Sequence, residues 1–344
     1  MKKLKKETWY ENIYARIAPF LTMNRNSKDC PDSRIKESDA VSSVVALMLL
    51  LAVVATFISL YSTSYIPGLK EQSEITQITT VKESFMKFSG DVEHIVVEKT
   101  PASCGNMIPL GGGDILFSPE KSSGTLTVTE CGTMVEIHTG PGNCATVSGM
   151  VNVAFRPSYT FWEEQGYTWQ YGYINVTKNE KEIPLTEFTM DDVLADDKFS
   201  TFAKSFVTFE DEGDFNASSG KKELSSLKID MVNVVPGSSS FISGNNPTNL
   251  GILADVREAE PVITHHIDFN YTNSTDMPVM SAFSTHLADK IRSDLKTLTK
   301  NYDTVLSVTE KRGMNGHDTT TLNIDEACPV EVIIRQVNIS VSVS

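Results

Sequence analysis

The side chains in this sequence whose types and spacing bear on chemistry are few: a glycine triplet, two adjacent histidines, two runs of acids, a row of aromatics and a handful of cysteines. Gly111, Gly112 and Gly113 are not followed by the Gly-Lys-Ser/Thr of a phosphate-cradling loop, so they predict a turn. His265 and His266 are neighbours in an alternating stretch. On a strand they point to opposite faces and cannot share a metal ion, which makes His265 a core residue and His266 a surface one. Asp191, Asp192, Asp196, Asp197, Glu210, Asp211, Glu212 and Asp214 carry the oxygen ligands that calcium prefers, but without the spacing of an EF-hand loop they read as solvated loop acids. Tyr167, Trp169, Tyr171 and Tyr173 alternate onto one strand face, with Phe161 and Trp162 just before them. Such a row is ordinarily core; an exposed one, centred on Trp162 and Trp169, would stack on sugar rings. No nucleophile elbow, zinc motif or pair of catalytic acids is apparent, so neither an enzyme nor a bound metal or cofactor is expected.

The elements that must carry these residues start with Val41 to Tyr65, twenty-five residues without a charge. At about 1.5 Å rise per residue, a helix of that length crosses the ~30 Å hydrocarbon layer of a bilayer. Twelve of the twenty-five are Val, Leu, Ile or Phe, which together favour insertion by on the order of 4 to 7 kcal/mol. Charge divides at the same place. Residues 1 to 40 hold nine bases and six acids, a net +3, whereas the rest holds 21 bases and 38 acids, a net -17. Basic residues before the span predict a cytoplasmic amino terminus and an extracellular carboxyl-terminal part. The overall charge of -14 argues against a nucleic-acid partner, because phosphate contacts need clustered Lys and Arg. The expected organisation is a cytoplasmic leader over 1–40, a transmembrane helix over 41–65, an extracellular stalk helix over 66–99 and a β-rich extracellular domain over 100–344. Within the leader, Trp9, Ile13, Ile17 and Leu21 fit a short amphipathic helix.

Pro67 and Gly68 predict a break, after which Ile78, Val81, Phe85, Phe88, Val92 and Ile95 form one apolar stripe. That stripe must be covered, by the protein's own outer domain or by neighbouring copies. Beyond Thr100 the period becomes two, in runs such as 124–129, 133–138, 150–155, 167–173, 224–234, 263–269, 304–309 and 330–343. The fold class expected is therefore mainly β with α: an antiparallel, β-sandwich-like ectodomain with one packed helix at about 283–300. In the last run Val330, Val332 and Ile334 share one phase, and Val337, Ile339, Val341 and Val343 the other, which predicts a bulge near Arg335 and Gln336.

Cys104, Cys131, Cys144 and Cys328 fall on the outer side, where thiols pair, and Cys30 on the inner. Three pairings are open. A hairpin of 124–129 with 133–138 would put Cys131 at its turn and Cys144 past its far end, which disfavours joining those two. Asn175, Asn216, Asn270, Asn273 and Asn338 head N-x-S/T sequons, all on the same outer side.

Residues 39–54, DAVSSVVALMLLLAVV, resemble the class III signal and N-terminal helix of archaeal type IV pilin-like proteins. Residues 108–128 (IPLGGGDILFSPEKSSGTLTV) and 227–244 (LKIDMVNVVPGSSSFISG) are similar to the β-rich headpieces of large pilin-like surface proteins of archaea, particularly methanogens. The resemblance implies a cut between Ala40 and Val41 by a prepilin-peptidase-like enzyme, and a chain that lies in the bilayer or packs with other pilin-like subunits. The sequence departs from the family in having Ser38 and Asp39 where Lys or Arg usually precedes the cut, and Ser43 where proline is frequent. The function expected is a membrane-anchored, outward-facing pilin-like structural or interaction protein, including a minor pilin. Its rival is a tethered surface module that binds carbohydrate or envelope components.

Overall fold

A computed structural model describes residues 37–112, 121–140, 146–179, 181–187, 189–216, 221–272, 278–302, 305–311, 317–328 and 330–344. Cys30, Gly113, Cys144, Asn273 and the proposed amphipathic helix over 9–21 lie outside the described residues. The chain falls into two units, Met1–Ser59 and Leu60–Ser344.

Helix α1 covers Glu37–Leu60, a π turn covers Tyr61–Tyr65, and α2 covers Ile66–Glu98. The break expected at Pro67 and Gly68 is absent. Pro67 sits at the start of α2, and the Ile66 N–H bonds the carbonyl of Tyr61, five residues back. A proline has no N–H and its ring crowds the carbonyl four residues earlier; one widened turn before it absorbs that misfit without ending the helix. α2 stops at Lys99, which adopts left-handed φ 51 and donates its N–H to Ile95 O.

Strands then dominate, at 48% of the protein. In chain order they are β1 (Ala102–Pro109), β2 (Ser123–Thr139), β3 (Thr146–Ser158), β4 (Gln165–Gln170), β5 (Tyr173–Lys178), β6 (Lys181–Pro184), β7 (Val207–Asn216) and β8 (Lys221–Pro236). There follow β9 (Phe241–Gly244), β10 (Pro247–Glu258), β11 (Val262–Ile263), β12 (His266–Thr272), β13 (Leu306–Lys311), β14 (His317–Ile324) and β15 (Glu331–Val343). One sheet has the order β1-β10-β15-β8-β7, with β11 on β15; the other has β13-β14-β12-β2-β3-β4-β5-β6, with β9 on β2. Both sheets are curled into half-barrels rather than the facing layers of the expected sandwich. Pairing is antiparallel except that β15 runs parallel to β8.

Three local expectations change. Segments 124–129 and 133–138 form no hairpin; they belong to one strand, β2, whose register against β3 slips between Glu130 and Gly132 and again between Thr133 and Val135. Cys131 is the extra residue of the first slip, and Gly132 supplies the φ of +100 that such a bulge asks of a glycine. Residues 167–173, expected as one strand, are a hairpin. Gln170 pairs with Tyr173 across Tyr171 and Gly172, at φ 49 and φ 82, the paired positive values of a tight two-residue turn. β15 carries no bulge: its register is unbroken against β8 from Glu331 to Val341 and against β10 from Arg335 to Val343.

Instead, the two halves of β15 bury opposite faces. Val332 and Ile334 share a face with Leu227, Ile229 and Phe209, and Phe209 meets Phe269 of the second sheet, 5.8 Å between ring centroids. Val337, Ile339, Val341 and Val343 share the other face with Ala254, Ile252 and Leu250 of β10 and with Asn106 of β1, whose amide donates to Asp91 of α2. A curled sheet covered by different partners along its length thus explains the change of phase.

The packed helix is present as α5, Pro278–Asn301, and buries Phe283, Leu287, Ile291, Leu295 and Leu298. Two short helices precede it, α3 (Met190–Ala195) and α4 (Asp197–Lys204). Of the acids expected in loops, Asp192 and Asp196 cap them, whereas Glu210, Asp211, Glu212 and Asp214 lie on β7. Thr189 and Asp192 form a reciprocal capping box on α3, and Asp196 accepts the Lys198 N–H at the start of α4.

Candidate functional site: an uncovered apolar helix and the base of the sheet unit

From Val44 to Leu60, α1 carries twelve large apolar side chains, and all of them are 45% to 69% exposed. No other described element covers them. The helix is long and apolar enough to cross a membrane. Ala40 and Val41, the expected processing site, lie within the helical backbone of α1.

α2 behaves differently. Ile78, Val81, Phe85, Phe88, Val92 and Ile95 are all buried, so the stripe is covered by the protein's own strands. Phe88 meets Trp169 edge-on at 5.1 Å, Phe85 lies 6.1 Å from Tyr167, and Trp169 Nε1 donates to Ser89 Oγ at 3.0 Å. Polar side chains of α2 also dress the free edge of β1: Ser84 Oγ donates to Met107 O and Gln77 Nε2 to Pro109 O. The segment expected as a stalk is thus an internal strut of the sheet unit. At its far end the Arg335 guanidinium donates to Lys99 O at 2.7 Å and to Asp230 Oδ2 at 3.1 Å. Burial raises the Asp230 pKa despite Arg335, and burial lowers that of Lys99.

At the near end, burial begins one residue after the π turn. Ile66 is 7% exposed, Lys70 5% and Glu74 3%. The Glu74 carboxylate accepts the backbone N–H groups of Thr160, Phe161 and Trp162 at 3.1, 3.1 and 2.8 Å. Lys70 Nζ stands 5.1 Å from the centroid of the Phe161 ring. Beside them Gly112 N donates to Ser122 Oγ, at 3.0 Å, and Gly111 and Gly112 lie in neither a helix nor a strand. Neither Lys70 nor Glu74 was singled out by sequence reasoning. The only signal was a pair of charges four apart on a helix otherwise read by its apolar stripe.

The remaining expected sites scatter. Trp169 is fully buried and Trp162 half-buried, so they do not make one exposed stacking row. Cys104, Cys131 and Cys328 are free thiols. Cys104 pairs in register with Ile252 and through it with Val341, whereas Cys328 precedes Glu331 at the other end of β15, about 33 Å away at strand rise; those two cannot be joined in this fold. The Cys131 thiol is pushed up to about 11, chiefly by burial.

Of the sequons, Asn175 is buried and its amide reaches Glu182; Asn270 Oδ1 accepts from Thr319 Oγ1, and Asn338 Oδ1 from Asn233 Nδ2. Asn216 ends β7. His265 is exposed and His266 half-buried, the reverse of expectation, because the chain crosses from β11 in one sheet to β12 in the other at Thr264 and His265. Among the described residues no three His, Cys, Asp or Glu side chains converge as metal ligands. A cleft of about 270 Å³ between α2, the Tyr171–Gly172 hairpin and α4 is lined by Met86, Ser89, Glu93, Tyr173, Lys198 and Phe199. Compared with protein-family models, characterised proteins and solved structures, the chain matches none.

Proposed function

We propose that this chain is a membrane-anchored, single-pass display protein of pilin-like build, with its amino terminus in the cytoplasm and its sheet unit outside the cell. The observation that carries the reading is the contrast between two successive helices. α2 buries its apolar stripe under the protein's own strands, while the twelve apolar side chains of α1 find no cover among the described residues. A solvent that accepts them is required, and hydrocarbon or the apolar helices of sister subunits would serve. The excess of bases before α1 sets the direction. The proposed role is structural or interactive, as a pilin-like or minor pilin subunit, with the bilayer, sister subunits and a prepilin-peptidase-like enzyme as partners.

Membrane fractionation tests the anchor. The native chain should resist carbonate extraction, and Leu50→Arg with Leu51→Arg, each costing about 3 kcal/mol at mid-bilayer, should release it. A wild-type chain found in the carbonate supernatant would refute the anchor. N-terminal sequencing of native protein tests the pilin-type export: a mature chain beginning at Val41 supports it, and one beginning at Met1 leaves a fixed tether.

A further inference from the structure

We infer that a cavity at the bulge of β2 binds one ring of a neutral sugar, at a place distinct from the row around Trp162 and Trp169. The cavity lies wholly within the Leu60–Ser344 unit, so the inference stands or falls independently of the membrane anchor.

Three departures from regular sheet meet there. Cys131 is the extra residue where β2 slips against β3, the kind of bulge that re-aims side chains. β3 and β4 pair from Phe155 and Tyr167 only as far as Val153 and Trp169, so Asn152 and Gln170 have no partner across that ladder. β4 then turns at Tyr171 and Gly172 into β5. Strands that part in this way leave a space between them, and Val279 and Met280 in the first turn of α5 wall one side of it. Its volume is about 320 Å³. That is roughly ten waters' share of liquid and the lower end of the ~300 to 1,000 Å³ range of ligand pockets. The space is too large for one structural water and suits a single ring.

The lining sets the chemistry of the guest. Two of its polar atoms have no hydrogen-bond partner: Asn152 Oδ1 and the hydroxyl of Tyr171, a side chain only 3% exposed. A buried polar atom left unpaired is costly, and native folds rarely keep one; two beside one cavity mark bonds that a guest completes. Burial drives the Tyr171 hydroxyl far above its ordinary value and the Cys131 thiol up to about 11. The inner wall is therefore uncharged at neutral pH and penalises a charged guest. Among the described residues of the lining Glu130 alone is charged, and it is exposed, where it repels an anion and accepts a hydrogen bond. A hydroxyl group both donates and accepts, so it can give to Asn152 Oδ1 or Glu130 and take from Tyr171. Val279 and Met280 offer contact to an apolar C–H face. A neutral ring that joins several hydroxyls to such a face is a pyranose.

Saturation-transfer NMR on the full chain, in a detergent without a sugar headgroup, tests this. The probes are glucose, galactose, mannose and N-acetylglucosamine, with N-methylacetamide as a non-sugar that can make the same hydrogen bonds. At least one of the four sugars should take up saturation at millimolar concentration. Tyr171→Phe, which removes only the hydroxyl, and separately Asn152→Leu should each weaken that sugar about tenfold, with urea midpoints checking that each variant is folded. If Asn152→Leu does not fold, Tyr171→Phe decides. The same sugar should slow alkylation of Cys131 and leave Cys104 and Cys328 unchanged. Transfer to none of the four sugars, transfer to N-methylacetamide alone, or transfer undiminished by Tyr171→Phe overturns the inference and leaves the anchor untouched.

Discussion

Raising the pH from 9 to 11 should weaken the sheet unit steeply, and the reason lies in three buried tyrosines. Burial is the main cause that pushes the hydroxyls of Tyr159, Tyr171 and Tyr271 far above their ordinary value, with the nearby Glu74 carboxylate adding to it at Tyr159 and the Cys131 thiol at Tyr171. A pKa raised in the folded state means that the unfolded chain loses its protons first. The stabilising contribution is therefore whole below the unfolded value near 10 and disappears as the pH climbs toward the folded values. At pH 11 an unfolded tyrosine has ionised while the buried one has not, a difference of about 1.4 kcal/mol each, so the three together remove at most about 4 kcal/mol. Tyr173, raised to about 12, and Cys131, raised to about 11, act in the same direction but are half-exposed. Lys99, lowered by burial, opposes them over part of the range as a single group. Against a net stability of about 5 to 15 kcal/mol, the loss is large. Urea unfolding in detergent at pH 9, 10 and 11, followed by circular dichroism and by tyrosinate absorbance, should show the midpoint falling, with the buried hydroxyls ionising only as the unit unfolds. Tyr171→Phe with Tyr271→Phe should remove about two thirds of the pH sensitivity. An unchanged midpoint between pH 9 and 11, or full ionisation near pH 10 in protein that is still folded, would refute the reasoning.

Phe88→Ala should cost the sheet unit about 3 to 5 kcal/mol, because the ring is fully buried against Trp169; a free stalk would lose nothing, and urea midpoints separate the two. Arg335→Ala strands a buried Asp230 carboxylate and the Lys99 carbonyl, at a cost of about 3 to 5 kcal/mol, and adding Asp230→Ala should recover part of it in the same assay. Intact-mass analysis with site mapping of native protein should find no glycan on Asn175, Asn270 or Asn338, whose amides face burial or hydrogen-bonded neighbours; occupancy at Asn175 would mean that β5 and β6 are not packed in the native chain.

Long periodic signals were legible in the sequence and short ones were not. The α2 stripe, the α5 stripe and the uncharged run of α1 each extend over many turns, so burial averages over local exceptions. α3 and α4 have six and eight residues, too few for a helical period to stand out from the acids around them, although Thr189 followed by Asp192 is a capping signal in plain view. The hairpin at Tyr171 was hidden because its aromatics keep alternating through the turn, with only Gly172 to mark it. For β15 the two phases were visible but their cause was not: a bulge and a change of covering partner give the same alternation, and only the pairing register separates them. The base of the unit was illegible for a different reason. Glu74 is satisfied by backbone N–H groups 86 to 88 residues away, a contact with no local signature.

The covered stripe of α2 also decides where any driving force for assembly must reside. Had Ile78 to Ile95 been open, sister copies could have paired along α2 as well as along α1. With that stripe enclosed by β1, β4 and β10, the uncovered large apolar side chains of the helical segment are concentrated between Val44 and Leu60. Lipid and neighbouring α1 helices then compete for one surface, and hydrocarbon already accepts it at a gain of on the order of 4 to 7 kcal/mol. Transfer into a subunit bundle gains little more from hydrophobicity itself, since lipid tails are as apolar as leucine; close helix packing has to supply the difference. On the proposed membrane-anchor reading, membrane residence is the default state, and a filament would form only where α1 helices pack together better than each packs with lipid.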